Sequence, residues 1–224
     1  MQFPDRASAA RALAAAAAER LRDGVEARGS ASIVVSGGES PLTMFAQLRA
    51  LPVPWEFVTV VPSDERWVAV EEAASNEGMI RRELLVGPAS AAKLVSLHRA
   101  GSASGALPAL NASLASIGRP FDVVVLGVGA DGHTASLFPD SPDLAVALYS
   151  TDDVVAQQPP RLAQARVSLT PRALLDAREI ALLFFGAEKR AVYERVRKPG
   201  SIAEYPLRAI MLQRSVRVTA YWAP

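Results

Sequence analysis

The chain contains no cysteine. That excludes disulfides, thiolate metal sites and a cysteine nucleophile at once. Histidine is almost as scarce, with His98 and His133 the whole complement, so imidazole chemistry has at most two places to sit. Aromatic residues make up 6% of the chain. No run approaches the ~18–20 apolar residues that would cross a bilayer as a helix. Charge of either sign in excess is also missing, with 24 basic against 23 acidic residues and a net charge of +1. A global field that recruits nucleic acid or membrane is therefore excluded, and any bound anion must be met by a local cluster.

What is present fits a globular fold. Half the residues are hydrophobic and 21% are charged, enough to bury one sizeable core. Residues 9–18 are alanine-rich but flanked and interrupted by Arg6, Arg11, Glu19, Arg20 and Arg22. They read as a surface helix from Arg6 to Glu26 rather than a secretory segment. With no export signal in view, the expected location is cytoplasmic.

Apolar strand-like runs alternate with helical stretches. Strands are expected at Ala31–Ser36, Phe57–Val61, Lys93–Leu97, Phe121–Leu126, Val154–Gln157, Ala165–Leu169, Glu179–Phe185 and Val216–Tyr221. Helices are expected at Pro41–Leu48, Glu77–Leu85 behind an N-cap at Ser75-Asn76, Ala106–Ile117 and Ala187–Arg197, with a helical turn at Pro171–Asp176. Ala100–Ser104 and Gln157–Pro160 read as surface loops. The strands are continuous rather than alternating in hydrophobicity, as a parallel sheet covered on both faces requires. The expectation is a single α/β domain over residues 1–224, with one doubly wound, mostly parallel, Rossmann-like sheet and helices on both faces.

In such a sheet, ligands sit beyond the carboxyl ends of the strands, and four polar clusters fall there. Ser36-Gly37-Gly38-Glu39-Ser40 offers two glycines, a hydroxyl and a helix N-terminus, the parts of an anion cradle. An ordinary tight turn is the other reading, and Glu39 suits a cradle only if it points outward. Asp64-Glu65-Arg66 is either a substrate-binding and orienting group or a solvated charge run. Gly186-Ala187-Glu188-Lys189 places Lys189 in a helix's first turn, where the dipole disfavours a cation unless an anion is to be met. Arg166, ahead of Val167, is a fifth candidate. For both Lys189 and Arg166 a plain surface role stands beside anion binding.

The fourth cluster follows the strongest strand. Gly127, Gly129 and Gly132 satisfy G-x-G-x-x-G, but Asp131 would meet a pyrophosphate with negative charge, which argues against a dinucleotide. Asp131 and His133 make better sense as a pair, imidazole taking a proton from water near neutral pH and a carboxylate holding its tautomer. A structural histidine is the competing reading, and it is the one given to His98. Asp131, His133 and Asp64 could meet a metal ion, but nothing shows ligand spacing typical of zinc.

Taken together, Gly-Val-Gly-Ala-Asp-Gly-His-Thr-Ala-Ser-Leu-Phe-Pro (127–139), Ser-Gly-Gly-Glu-Ser-Pro (36–41), Asp64-Glu65-Arg66, Ser75-Asn76, Arg166 with Ser168-Leu169-Thr170, and Gly186-Ala187-Glu188-Lys189 closely resemble, in order, the motifs of the 6-phosphogluconolactonase family. The likeness runs from about Ser8 to Trp222. The resemblance implies hydrolysis of 6-phosphoglucono-δ-lactone to 6-phosphogluconate in the oxidative pentose phosphate pathway, with no cofactor and no metal. It implies His133 as general base and Asp131 or Asp64 as its orienting carboxylate. Gly37, Gly38, Ser40, Arg166 and Lys189 would hold the phosphate, and Arg66 the sugar acid or oxyanion. The implied partner is a small sugar phosphate, with no nucleic acid or membrane, and the chain is expected as a monomer or weak dimer.

Two alternatives are carried. Glucosamine-6-phosphate deaminase shares the fold, but its loop resembles Asp-Gly-His-x-Ala-Phe-Asn-Glu-Pro, with a functional glutamate where this chain has Phe138. A sugar-phosphate sensor that controls transcription would need a DNA-binding module for which this chain spares no segment.

Overall fold

The computed structural model describes residues 1–224. Helix α1 (Arg6–Arg28) starts at Asp5, whose carboxylate accepts from the Ser8 N–H, and ends at Gly29. Its inner face is built from small residues, Ala9, Ala10, Ala14, Ala17, Ala18 and Gly24, with Leu13 and Leu21 between them. That flat face lets the helix lie close against the sheet and against α2 (Ser40–Leu48).

The central sheet contains β1 (Ala31–Val35), β2 (Val58–Pro62), β4 (Lys93–Leu94), β5 (Val123–Leu126), β8 (Glu179–Phe185) and β9 (Arg217–Ala223). Its order is β4-β2-β1-β5-β8-β9, and every pairing is parallel. Successive residues of β1 face opposite cores. Ile33 and Val35 join Leu13, Phe45 and Trp55 on one side, while Val34 joins Leu126, Phe121 and Phe184 on the other. Both faces are covered, which is why these strands are apolar without alternation.

The remaining helices are α3 (Asn76–Glu83), α4 (Ala103–Ala115), α5 (Leu144–Tyr149), α6 (Pro171–Leu175), α7 (Ala187–Val196) and α8 (Arg208–Met211). The short α5 and α8 were not expected from the sequence. Helix α4 begins three residues earlier than expected because Ser102 caps it, accepting from the Gly105 N–H at 3.2 Å. Part of the expected loop 100–104 is therefore helix.

One feature departs from a single sheet. Three short strands, β3 (Asp64–Arg66), β6 (Val154–Gln157) and β7 (Arg166–Leu169), form a separate antiparallel sheet in the order β3-β7-β6. The Leu169 N–H donates to the Ser63 carbonyl at 2.9 Å, tying β7 to the residue before β3. The charged triplet 64–66 thus leaves the buried sheet and pairs at its carboxyl end.

The order places the topological switch between β1 and β5. From β1 the chain builds outward through β2 and β4, then returns to β5 and builds the other way. A crevice forms where the connections after two such neighbours diverge, here residues 36–40 and 127–140.

Candidate active site

A cleft of about 290 Å³ opens at this switch point. Its lining includes Gly37, Gly38 and Ser40 from the β1 connection, Asp64 and Arg66 from β3, His133 from the β5 connection, Arg166 from β7 and Lys189 from α7. Of the residues singled out from sequence, Asp131 does not itself line the cleft, and it touches His133 from behind.

The β1 connection turns at Gly38, whose φ of +90° disfavours any residue with a side chain. It delivers Ser40 and Pro41 to the first turn of α2, so the helix N-terminus faces the cleft. Glu39 does not turn fully outward as expected. As the residue immediately before α2 it is exposed, yet it borders the cleft and the adjoining hollow lined by Arg6, Thr43 and Phe185.

The three residues of β3 separate in role. Asp64 is buried and accepts from the hydroxyls of Ser63 and Ser136, each at 2.7 Å. It is committed to those hydroxyls, and its hydrogen bonds do not include His133. The trio of Asp64, Asp131 and His133 therefore makes no metal-binding cluster. Glu65 is fully buried and accepts from the N–H groups of Arg66, Asn76 and Glu77, each at 2.7 Å, and from the Ser75 hydroxyl at 3.2 Å. Burial raises its proton affinity, and those N–H donors oppose the rise. Arg66 donates to the Ala74 carbonyl at 2.5 Å.

Arg166 is buried on β7 and hydrogen-bonds only the carbonyls of Gln164 and Ala165, at 3.1 and 3.4 Å. Burial, and then the charge of Arg66, lower its proton affinity, with Asp64 and Glu65 opposing. Two guanidiniums and the Lys189 ammonium thus line a cleft that also carries two carboxylates, the buried Asp64 and the exposed Glu39.

The β5 connection folds back on itself. The Gly129 N–H donates to the His133 carbonyl at 2.9 Å and the Gly132 N–H to the Gly129 carbonyl at 3.0 Å. The imidazole lies directly over Gly129, where a Cβ would sit 2.1 Å from Nδ1. Asp131 Oδ1 accepts from the His133 backbone N–H at 3.1 Å and lies 2.5 Å from Nδ1. A carboxylate there assigns the proton to Nδ1 and leaves the Nε2 lone pair free to accept a proton. The other Asp131 oxygen is bound by Arg161. Burial works against the ionised carboxylate, but His133 and Arg161 outweigh it and hold Asp131 well below the usual carboxylate range. The Phe138 ring packs against the imidazole, centroids 4.5 Å apart.

His98 packs on Trp67, centroids 4.7 Å apart, and is not among the residues lining the cleft. Several residues in or behind the cleft escaped the sequence reading. Asn76 was seen only as part of a helix cap. It wedges against Gly37 and donates to the Asp64 carbonyl at 2.8 Å, while Ser75 is the cap itself. Ser136 carried no spacing signal, and Arg161 falls just past an expected surface loop.

A doubly covered parallel sheet with a cationic cleft at its switch point defines an α/β protein built to hold a small anionic ligand. The family model for glucosamine-6-phosphate isomerases/6-phosphogluconolactonase matches residues 4–222, and the chain belongs to that family. It is 40% identical to a 6-phosphogluconolactonase of Mesorhizobium japonicum, over 99% of this chain and 94% of the relative. Identity is also 40% to a 6-phosphogluconolactonase of Pseudomonas putida, over 100% and 92%. Among solved structures, a 6-phosphogluconolactonase from Shewanella baltica superposes with a TM-score of 0.98 at 38% identity, covering 100% of this chain and 96% of that one.

Proposed function

We propose that the chain hydrolyses 6-phosphoglucono-δ-lactone to 6-phosphogluconate, a step of the oxidative pentose phosphate pathway, with His133 as general base. The observation that carries this reading is the 2.5 Å contact between Asp131 and His133 Nδ1, which leaves Nε2 as an acceptor beside a cleft lined by cations. The full-length likeness to 6-phosphogluconolactonases supports it.

The substrate's phosphate is a dianion and takes the amides at Gly37 and Gly38, the Ser40 hydroxyl, and the cations of Arg166 and Lys189. Its lactone end reaches Arg66 and His133. A water between Nε2 and the carbonyl carbon gives its proton to Nε2 as its oxygen bonds that carbon. The carbonyl oxygen becomes an oxyanion, which Arg66 stabilises in a site already oriented for it. Collapse of the tetrahedral intermediate breaks the bond to the ring oxygen, which takes the proton back from the imidazolium. Asp131 stabilises that imidazolium throughout. The reaction consumes one water and leaves the base as it began.

The deaminase reading is weaker because Phe138 stands where that family's loop resembles a glutamate, and a phenyl ring relays no proton. The deciding experiment is lactone hydrolysis assayed beside ammonia release from glucosamine 6-phosphate. Hydrolysis without ammonia is expected, with His133→Ala losing on the order of 10²–10⁴-fold in kcat while still binding 6-phosphogluconate. Ammonia release, or a fully active variant, overturns the proposal.

A further inference from the structure

We propose that Arg161 is a positioning residue for the base, fastening the loop that carries His133 by acting through Asp131. The inference rests on the reading of His133 as the general base. Arg161 comes from the connection between β6 and β7, outside the loop it holds.

Three contacts run from this one guanidinium to residues 131–140. Nη2 binds Asp131 Oδ2, Nε forms an ion pair with Asp140 Oδ2 at 3.1 Å, and Cζ lies 5.6 Å from the centre of the Phe138 ring. Two of those three residues touch the imidazole. Asp131 meets Nδ1 at 2.5 Å, and the Phe138 ring packs at 4.5 Å between centroids. Of these contacts, the hydrogen-bonded route from Arg161 to His133 is the one through Asp131.

The Asp131 carboxylate shows why the second bond matters. One oxygen serves the backbone N–H and Nδ1 of His133, and the other has Arg161 as its partner. A carboxylate held at only one oxygen can swing about its terminal torsion, which has broad wells. Held at both, it fixes the plane in which Nδ1–H must lie, and so the direction in which Nε2 points. The Arg161 side chain is 47% exposed, so as an exposed ion pair it adds little to stability. Its contribution is aim. A planar fork can span the two carboxylates of Asp131 and Asp140, which a single ammonium cannot do in the same geometry.

The test is a double-mutant cycle in kcat for lactone hydrolysis, using Arg161→Ala, Asp131→Asn and the double variant, with Arg161→Lys and His133→Ala alongside. Arg161→Ala should lose on the order of tenfold to a hundredfold in kcat, with KM within about twofold. In the Asp131→Asn background it should lose almost nothing more, because the path from Arg161 runs through that carboxylate. Arg161→Lys should recover part of the rate, since it keeps a cation beside Asp131 but gives up the span to Asp140. Losses that add in the double variant, an unchanged kcat in Arg161→Ala, or an effect confined to KM each overturn the inference. If Arg161→Ala does not fold, Arg161→Lys takes its place in the cycle. A fully active His133→Ala defeats the underlying reading of the base. An inactive His133→Ala with additive Arg161 and Asp131 losses defeats this inference alone.

Discussion

Arg66 and Arg166 stand directly opposite each other on the antiparallel strands β3 and β7. Like charges across a ladder are unfavourable, and here the hydrogen-bond acceptors of both side chains are backbone carbonyls. The fold holds this repulsion beside a cleft that also receives Lys189. In the proposed binding mode a phosphate dianion against Arg166 and Lys189 would relieve it. 6-Phosphogluconate should therefore raise the thermal midpoint of the wild-type protein. Arg166→Ala should raise KM by about 10–100-fold, the scale of one charged hydrogen bond, and shrink the ligand-induced shift. An unchanged KM would remove Arg166 from the anion site.

Gly129 is a steric seat for the base. A Cβ at this position would lie 2.1 Å from His133 Nδ1, so Gly129→Ala must push the imidazole off Asp131. Its backbone is not in the left-handed region, so folding should survive. We expect kcat to fall on the order of 100-fold, with 6-phosphogluconate bound within a few-fold of wild type. Steady-state kinetics and a product titration check both halves. Unchanged kcat would show that the ring has another seat.

How much of this was legible depended on range. β1, β5 and β8 could be read because their runs are apolar on both faces, and the switch between β1 and β5 then follows from chain order. His133 could be read because imidazole is scarce and this one follows the strongest strand. The pairing of β3 with β7 could not. Register between three- and four-residue segments a hundred positions apart leaves no local mark, so Asp64-Glu65-Arg66 looked like a single charge cluster. Spacing also left open which of Asp64 and Asp131 meets His133, and packing separates them: Ser63 and Ser136 occupy Asp64. Arg161 was invisible for the same reason, since its partners lie 21–30 residues away across a turn of the fold.

Glu65 shows how a charge that looked solvated supports the site from inside. Both of its oxygens accept from N–H or O–H donors, and these include the start of α3, from which Asn76 reaches the cleft. In Glu65→Gln an amide NH2 must face donors, leaving one or two of them without an acceptor. A loss of about 2–4 kcal/mol is expected, measured as a lower urea midpoint at unchanged slope. A variant as stable as wild type would show that burial of the charge costs as much as its hydrogen bonds return.

Asp131 gives the fold a pH dependence of known sign. His133 and Arg161 hold its folded-state proton affinity below that of the unfolded chain, where an aspartate titrates near ~3.9. The unfolded state then binds the proton more readily, so acid favours unfolding through this group. Its stabilising contribution is complete above about pH 5 and is lost progressively as pH falls below about 4, towards the depressed folded value. Asp131→Asn lacks the titration altogether, while the other carboxylates titrate in both proteins and cancel in the difference. Urea unfolding of the pair should show a stability gap that begins to narrow as pH falls through about 4 and is still narrowing at about pH 3. A gap that widens as pH falls below about 4 would mean that Asp131 binds its proton more tightly in the folded state, and the hydrogen bonds assigned to it would be wrong.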